Sequence, residues 1–600
     1  MAVNGVAAGA ADDAGPAGSL LGAPTRAPSS GARLAAIRYA LALVALFALA
    51  LGTRAVGLGG AVTEDEDQWI ARSGAFAHGL ATRDWRRTYL TGHPGVTVMW
   101  LTTVTLGVDR ARPFERAIGA PDVTTVPDFL PALDRARVPF VVLQAGLVVA
   151  AAALAGRLLG AATGLVAGLL LAAEPFWAGV GPIVGMDGLL TGSLTVSLLA
   201  LLLACGLGRD PPPGLRRRVG WAVLAGAAFG LAFLSKTTAL FLGPVVAALV
   251  LLAAWRAGQR RAADTGGTAA GPEAGRLATL DRRRWAVPLA LGAGWAVAAG
   301  LAVWLLWPAA WASPVGTIVR AVTFSARLGG APHGPGNFLL GQPIDDPGPL
   351  FYPVALLLRV GPGTMVGLLL LLAFGAAAPV RRVVWALLGY AGLFLLLLTL
   401  APKKVDRYLL PILPSLGILA AVGWIEAARR LPTIARRLPS LAPRPIMPTT
   451  GPLPSGLPVA PLAPFLVVAL LALGLQAWLL VQAGSYPLAA YNPLVGGVRV
   501  AERAIPVGWG DGLDLAGQRI RELAGGRTVV TSIWAPLRVS FGAHAPGPVV
   551  SDRQIAQADF YVDYVHARQR GLTPRQLAGR RPDAVVTIGG VDYARIYRLR

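Results

Sequence analysis

The sequence predicts an α-helical protein that crosses a membrane many times and ends in a small α/β domain. Three observations carry this reading. Only 14% of the 600 residues are charged, against 54% hydrophobic, where a soluble domain carries about 25% charged residues. About eleven apolar runs are long enough to span a bilayer. The basic residues behind the formal charge of +23 gather in short clusters between those runs, as the positive-inside rule requires. Topology thus explains the charge with no nucleic-acid partner. The one cysteine, Cys205, lies inside an apolar run and leaves neither a disulfide nor a thiolate metal site.

Residues 1–32, rich in Ala, Gly, Pro and Ser, have the composition of a disordered tail. Spans are expected near 34–56, 138–156, 160–179, 187–206, 219–235, 238–256, 285–308, 364–379, 381–400, 408–425 and 464–483, within a membrane domain of residues 33–483. With the N-terminus in the cytoplasm, every inner loop is basic: Arg157, then Arg209 with the run 216–218, then 256–284, Arg381 with Arg382, and 429–444. Segments 257–284 and 439–464 have the composition of cytoplasmic linkers. This assignment places the long segments 57–137 and 309–363 outside, together with residues 484–600. Segment 309–363 is expected to hold an interfacial helix and a loop folded over a cavity. In the last segment, strands are expected at 527–533, 548–551, 560–565 and 584–588, with a helix at 513–523. The glycine-rich GWGDGLD at 508–514 lacks the spacing of a phosphate loop and reads as a turn near the start of that helix.

The outer segments hold the candidate chemistry. Beyond the first span come Glu64, Asp65, Glu66 and Asp67, followed by apolar positions at three- and four-residue spacings that predict a short amphipathic helix. Carboxylates this close to lipid need a reason. Asp65 and Glu66 could accept a hydroxyl proton or orient a metal that does, although an acidic run after a span is as easily a solvated loop face. His93, pinned by Pro94, could hold a phosphate oxygen, donate a proton or bind a metal with the acids. Asp187, at the outer start of the fourth span, suits a helix cap or a partner for an outward-facing cation. Lys236, Lys403, Lys404 and Arg407 all fall on the outer face, against the positive-inside rule, where they could hold a lipid phosphate. Pairing with Asp406 or snorkelling would explain the same cations.

With these residues in view the chain resembles the GT-C membrane glycosyltransferases of the protein-mannosyltransferase type (family 39), which include the aminoarabinose transferases of lipid A. The motifs are Asp65-Glu66 after the first span, Asp84-Trp85, Gly92-His93-Pro94, Asp187, and the run from Lys404 through Asp406, Arg407 and Tyr408 to Pro411. The resemblance covers roughly residues 34–425. It implies a GT-C fold in the cell membrane, a polyprenyl-phosphate sugar donor, transfer on the outer face of the cell envelope, and inversion at the anomeric carbon. Asp65 matches the first-loop catalytic aspartate and Glu66 its acidic neighbour. His93 matches the histidine of the mannosyltransferase HPP motif, with Gly95 here in place of the last proline; aminoarabinose transferases carry lysine at that histidine. The lumenal MIR domain of that family is missing, which weakens protein O-mannosylation as the specific reaction; the expected acceptor is a lipid, a glycan or a protein.

The expected roles are Asp65 as general base, Lys404 and Arg407 on the leaving phosphate, and His93, Asp187, Lys236, Lys403 and Tyr408 as substrate-binding support. A divalent metal, if used, would fall to Glu66 and His93. A ligase for lipid-pyrophosphate oligosaccharides would suit the same cations. A flippase would use similar charges but calls for internal repeats, which the sequence does not show.

Overall fold

A computed structural model describes residues 30–56, 58–117, 128–208, 213–264, 282–334, 336–437 and 463–600. The tail 1–29, the linker core 265–281 and most of 439–464 lie outside the described residues. The flanks of the first linker are helical instead, because the helices Gly243–Asp264 and Arg282–Leu306 run past the apolar stretches that defined the spans, while Leu413–Arg437 stops just before the second. The chain divides into two units, residues 1–42 and 43–600. The described part of the first is helical, and the second contains every other element and the candidate site.

Among the described residues nine helices are long and apolar enough to cross a membrane, and the chain is a multi-pass membrane protein. Two of the eleven expected spans are too short as single helices. Ala161–Ala172 has 12 residues and Pro362–Phe374 has 13. At 1.5 Å per residue these reach about 18–20 Å, short of the ~30 Å hydrocarbon layer. The first stops before Glu174-Pro175, where Pro175 opens a new helix and the Glu174 carboxylate accepts the Trp177 N–H at 2.6 Å. The second meets Phe351–Arg359 at a bend of 108°, where Val360 is extended and Pro362 can only start a helix.

Helix Met186–Ala204 lies deep in the bundle, with every residue from Gly188 onward buried. Its start, the end of Leu215–Ser235, and the 3₁₀ turn Asp406–Ile412 converge at the end of the bundle where the site lies. The expected amphipathic helix is Glu66–Thr82. Asp65 stands at its N-cap position, Glu66 and Asp67 lie in the first turn where the helix dipole favours acids, and Arg83 closes it in the left-handed conformation. In segment 309–363, helix Pro314–Gly329 leaves Val315, Val319 and Phe324 exposed, as an interfacial helix does. A hairpin of β1 (Asn337–Leu339) and β2 (Gln342–Ile344) follows.

The C-terminal segment builds a five-stranded mixed sheet in the order β4-β3-β5-β7-β6. Its strands are β3 (Thr531–Ile533), β4 (Val549–Ser551), β5 (Phe560–Tyr564), β6 (Ala584–Ile588) and β7 (Val591–Arg598). The helix Leu513–Leu523 falls at the expected residues. Strand β7 was not expected, yet it pairs with both β5 and β6. Gly589 and Gly590, both at positive φ, form the two-residue turn into it, a hairpin signal present in the sequence.

Candidate active site

The four acids part company at the start of their helix. Glu66 is fully buried in a two-pronged ion pair with Arg137, Nε to Oε1 at 2.9 Å and Nη2 to Oε2 at 2.6 Å. The backbone N–H of Val184 donates to Oε1 at 3.1 Å, and the N–H and hydroxyl of Thr63 donate to Oε2 at 3.0 and 3.1 Å. A carboxylate with five donors and no exposure has no capacity left for a substrate. Glu66, expected beside Asp65 in the catalytic pair, is instead the clamp that fixes the loop against helix Phe129–Leu159 and the segment leading into helix Met186–Ala204. The same saturation removes it as a metal ligand. Among the described residues no group of three or more His, Cys, Asp or Glu side chains is placed to hold a metal ion.

Asp65 points the other way and keeps 37% of its side-chain surface exposed. It pairs with Nη1 of Arg407, whose Nε lies 3.5 Å from Asp187 Oδ2. Asp187 in turn accepts from Lys236 Nζ at 2.7 Å, and that ammonium sits 4.2 Å from the ring centre of Tyr408. The result is a chain of alternating charges from Asp65 through Arg407 and Asp187 to Lys236. Burial works against ionisation of Asp65, but Arg407, backed by Lys236 and Arg72, outweighs it and holds the carboxyl below its ordinary range. Asp187 is not the helix cap, since Gly185 occupies that position.

The other expected cations divide. Lys404 is buried, and its ammonium donates to the carbonyls of Thr399 and Ala401 at the end of helix Arg381–Leu400. The same ammonium lies 3.6 Å from Asp346 Oδ1, so a helix terminus and a carboxylate both engage it. Among the described residues no hydrogen bond or ion pair engages Lys403, which is partly exposed. Asp406 binds Arg359, with Nε to Oδ2 at 2.8 Å, and not the cations of its own turn. Arg359 also donates to the Leu488 carbonyl at 2.7 Å and the Tyr491 hydroxyl at 2.8 Å, which ties the turn of Arg407 to the segment leading into the sheet.

His93 is held in a cradle of close contacts. Gly95, at φ +57°, packs against Trp69, and an added Cβ would stand 2.0 Å from that ring. The Gly95 N–H donates to the Ser235 carbonyl at 3.2 Å, beside Lys236. Gly95 therefore stands where proline, lacking the N–H and confined to negative φ, could not. Burial first and Lys236 next push the His93 imidazole down to about 3, so it is neutral, and its buried Nδ1 has no partner among the described residues.

Trp509, in the glycine-rich turn, was not expected here. Arg407 lies over its ring at 4.6 Å. Gly510 lets that turn in, because a Cβ there would stand 2.6 Å from the Val62 carbonyl oxygen. Trp509 and Arg407 close a narrow cavity of about 30 Å³ whose polar end is Asp65, Asp187 and Arg407, and whose walls include Trp69, Phe176, Ile183, Met186 and Leu488. The lining, apolar walls with a charged end, suits a group with an apolar body and one charged or polar end once the walls part to admit it.

Residues 132–270 match the family model of the dolichyl-phosphate-mannose-protein mannosyltransferases, which bears out the resemblance read from the motifs. No curated protein sequence matches the chain. Among solved structures, the chain is similar to ArnT from Cupriavidus metallidurans in the apo state, at 16% identity and a TM-score of 0.48, covering 94% of this chain and 98% of that one. The same protein bound to undecaprenyl phosphate gives 15% identity, a TM-score of 0.43, and coverage of 92% and 97%. The archaeal oligosaccharyltransferase AglB from Archaeoglobus fulgidus, in complex with an inhibitory peptide and a dolichol-phosphate, gives 14%, 0.46, and 89% and 70%.

Proposed function

We propose that the chain transfers a sugar from a polyprenyl-phosphate donor to an acceptor hydroxyl at the outer face of the membrane, with inversion at the anomeric carbon. The observation that carries this reading is the single guanidinium shared by two carboxylates at the polar end of an apolar-walled cavity. Asp65 is the general base. It is ionised at neutral pH, exposed to the cavity, and able to take the proton that the acceptor hydroxyl loses as it attacks. Arg407 faces the phosphate, where negative charge grows as the glycosidic bond breaks. An arriving phosphate competes with Asp65 for that guanidinium. As Arg407 turns toward the donor, Asp65 loses its strongest counter-charge and becomes a better base. Donor binding thus prepares the acid–base step.

Lys403, uncommitted and on the same face, is the second phosphate contact. Neutral His93 is a hydrogen-bonding partner for the donor, and Asp187, Lys236 and Tyr408 keep Arg407 in place. The N-terminus is assigned to the cytoplasm and the C-terminal sheet to the outside, in keeping with the basic inner loops. The test is incubation of the purified protein with a panel of polyprenyl-phosphate sugars, following release of polyprenyl phosphate. Release that depends on an added acceptor supports the reading, and no release from any donor in the panel overturns it.

A further inference from the structure

A groove of about 530 Å³ lies at the far end of two helices that also serve the candidate active site. Asp187 at the start of Met186–Ala204 and Lys236 just past Leu215–Ser235 belong to the active site. Leu203 and Arg217, near the opposite ends of the same two helices, line the groove. From Asp187 to Leu203 the helix rises about 24 Å at 1.5 Å per residue, so the groove lies toward the opposite face of the membrane. Its volume falls within the ~300–1,000 Å³ of ordinary ligand pockets.

Two arginines from different helices meet there. Arg157 stands in the last turn of Phe129–Leu159, and Arg217 in the first turn of Leu215–Ser235. The positive-inside rule accounts for cations at this face, but not for their convergence on one cavity. Arg157 lies over the ring of Trp221 at 5.0 Å, which holds its guanidinium at the groove wall. Within the run 216–218 the arginines divide. Arg218 gives Nε to the Ala204 carbonyl at 2.8 Å, and Arg216 is not part of the lining. Arg157 and Arg217 have no hydrogen-bond or ion-pair partner among the described residues. No carboxylate is found among the described residues that line the groove.

The rest of the lining is apolar. Leu203 and Leu207 are buried, whereas Leu224 is 39% exposed, so the apolar wall continues onto the outside of the bundle. Gly220 lies one helical turn before Leu224, and a Cβ there would meet nothing within 4 Å. Glycine at this position leaves the groove unfilled.

We infer that this groove binds an anionic glycerophospholipid of the leaflet opposite the candidate active site. In the assigned topology that is the inner leaflet, but the site itself depends neither on the orientation nor on the transfer reaction. The phosphodiester lies between the two guanidiniums, whose N–H forks match its oxygens, and the acyl chains leave along Leu224. A free phosphate would use the cations and leave the leucines and Trp221 idle. A zwitterionic headgroup would bring an ammonium beside two guanidiniums with no carboxylate to receive it. Charge and apolar surface together select a lipid of net negative charge.

The test is native mass spectrometry of the full-length protein in detergent, titrated with phosphatidylglycerol, phosphatidylcholine or polyprenyl phosphate, with inorganic phosphate as competitor. The first phosphatidylglycerol is expected to bind about tenfold or more tightly than phosphatidylcholine. Arg157→Met combined with Arg217→Met should remove that preference, weakening phosphatidylglycerol about tenfold and leaving phosphatidylcholine unchanged. Gly220→Phe, which fills the groove and keeps both charges, should weaken phosphatidylglycerol to a similar degree. Both arginines are exposed, so the charge variant keeps the test open if Gly220→Phe does not fold. Equal binding of the two phospholipids, displacement by millimolar inorganic phosphate, tighter binding of polyprenyl phosphate at this site, or phosphatidylglycerol binding indifferent to the variants would overturn the inference.

Discussion

Replacing Glu66 by Gln should cripple the fold before it touches the chemistry. The Arg137 guanidinium is 2% exposed and Glu66 is its buried counter-charge at 2.6 Å. Asp134, the other acid near it, is 3.6 Å away and 48% exposed, and so largely screened by solvent. Removing one partner of a buried pair leaves the other uncompensated, at a cost of about 3–5 kcal/mol, whereas replacing both by apolar residues is often close to neutral. A clamp therefore predicts a clear asymmetry. Glu66→Gln alone should lower the temperature at which the detergent-solubilised protein loses its monodisperse elution profile. The double variant Glu66→Leu with Arg137→Leu should recover most of the loss. A double-mutant cycle on that temperature, with donor binding measured on whatever remains folded, separates clamp from catalyst. If Glu66→Gln proves as stable as the parent but inactive, the carboxylate belongs to the chemistry and the clamp assignment is wrong.

The other predictions bear on the electrostatics of the site and its supports. Trp509→Ala removes the ring under Arg407, an interaction worth about 0.5–2 kcal/mol, and should weaken polyprenyl-phosphate binding about 2- to 30-fold in a direct titration. Lys403→Met should weaken that binding, whereas Lys404→Met should lower thermal stability with donor affinity unchanged; the reverse pattern would restore Lys404 to the phosphate. Burial raises the Asp67 carboxyl to about 7. The folded state thus holds this proton more tightly than the unfolded chain, and the group costs stability progressively as pH rises from its ordinary range toward 7. Asp67→Asn should accordingly raise thermal stability at pH 8 relative to the parent and have little effect near pH 4. Asp65 has the opposite sign. Its pairing with Arg407 stabilises the fold above the ordinary carboxylate range and is lost as pH falls through its lowered value. Reporter fusions at Thr268 and Gly526 should read inside and outside respectively, and either result inverted would refute the membrane orientation.

The membrane class and most elements were legible because lipid imposes a simple rule. Long apolar runs must be helices with their backbone groups satisfied internally, and the sequence supplies those runs openly. Span length was legible only to the extent that proline and glycine interrupt it. Pro175 and Gly375, the latter at φ +68°, cut two expected spans short, and these breakers stand in the sequence. The convergence of Asp65, Asp187, Lys236 and Arg407 could be expected from their shared outer face, but their pairing could not. Asp406 looked like the natural partner of the cations beside it, yet Arg359 takes it from another helix. Nothing in local spacing marks Arg137 as the partner of Glu66, since 71 residues separate them. The one available signal was a charge at the rim of a predicted span. Trp509 was hidden for a similar reason: its role depends on Gly510 meeting the Val62 carbonyl, a contact between the first loop and the C-terminal segment.

The central claim is that Asp65 takes the proton of the acceptor hydroxyl while Arg407 answers to the donor phosphate. It is tested most directly by single-turnover transfer from a polyprenyl-phosphate sugar, comparing the parent with Asp65→Asn under conditions where donor binding is measured on the same samples. General-base catalysis is typically worth ~10²–10⁴-fold, so Asp65→Asn should slow transfer by about that factor with donor affinity retained or improved, because Arg407 is then free for the phosphate. Asp65→Asn that folds, binds donor and transfers at the parental rate would contradict the account.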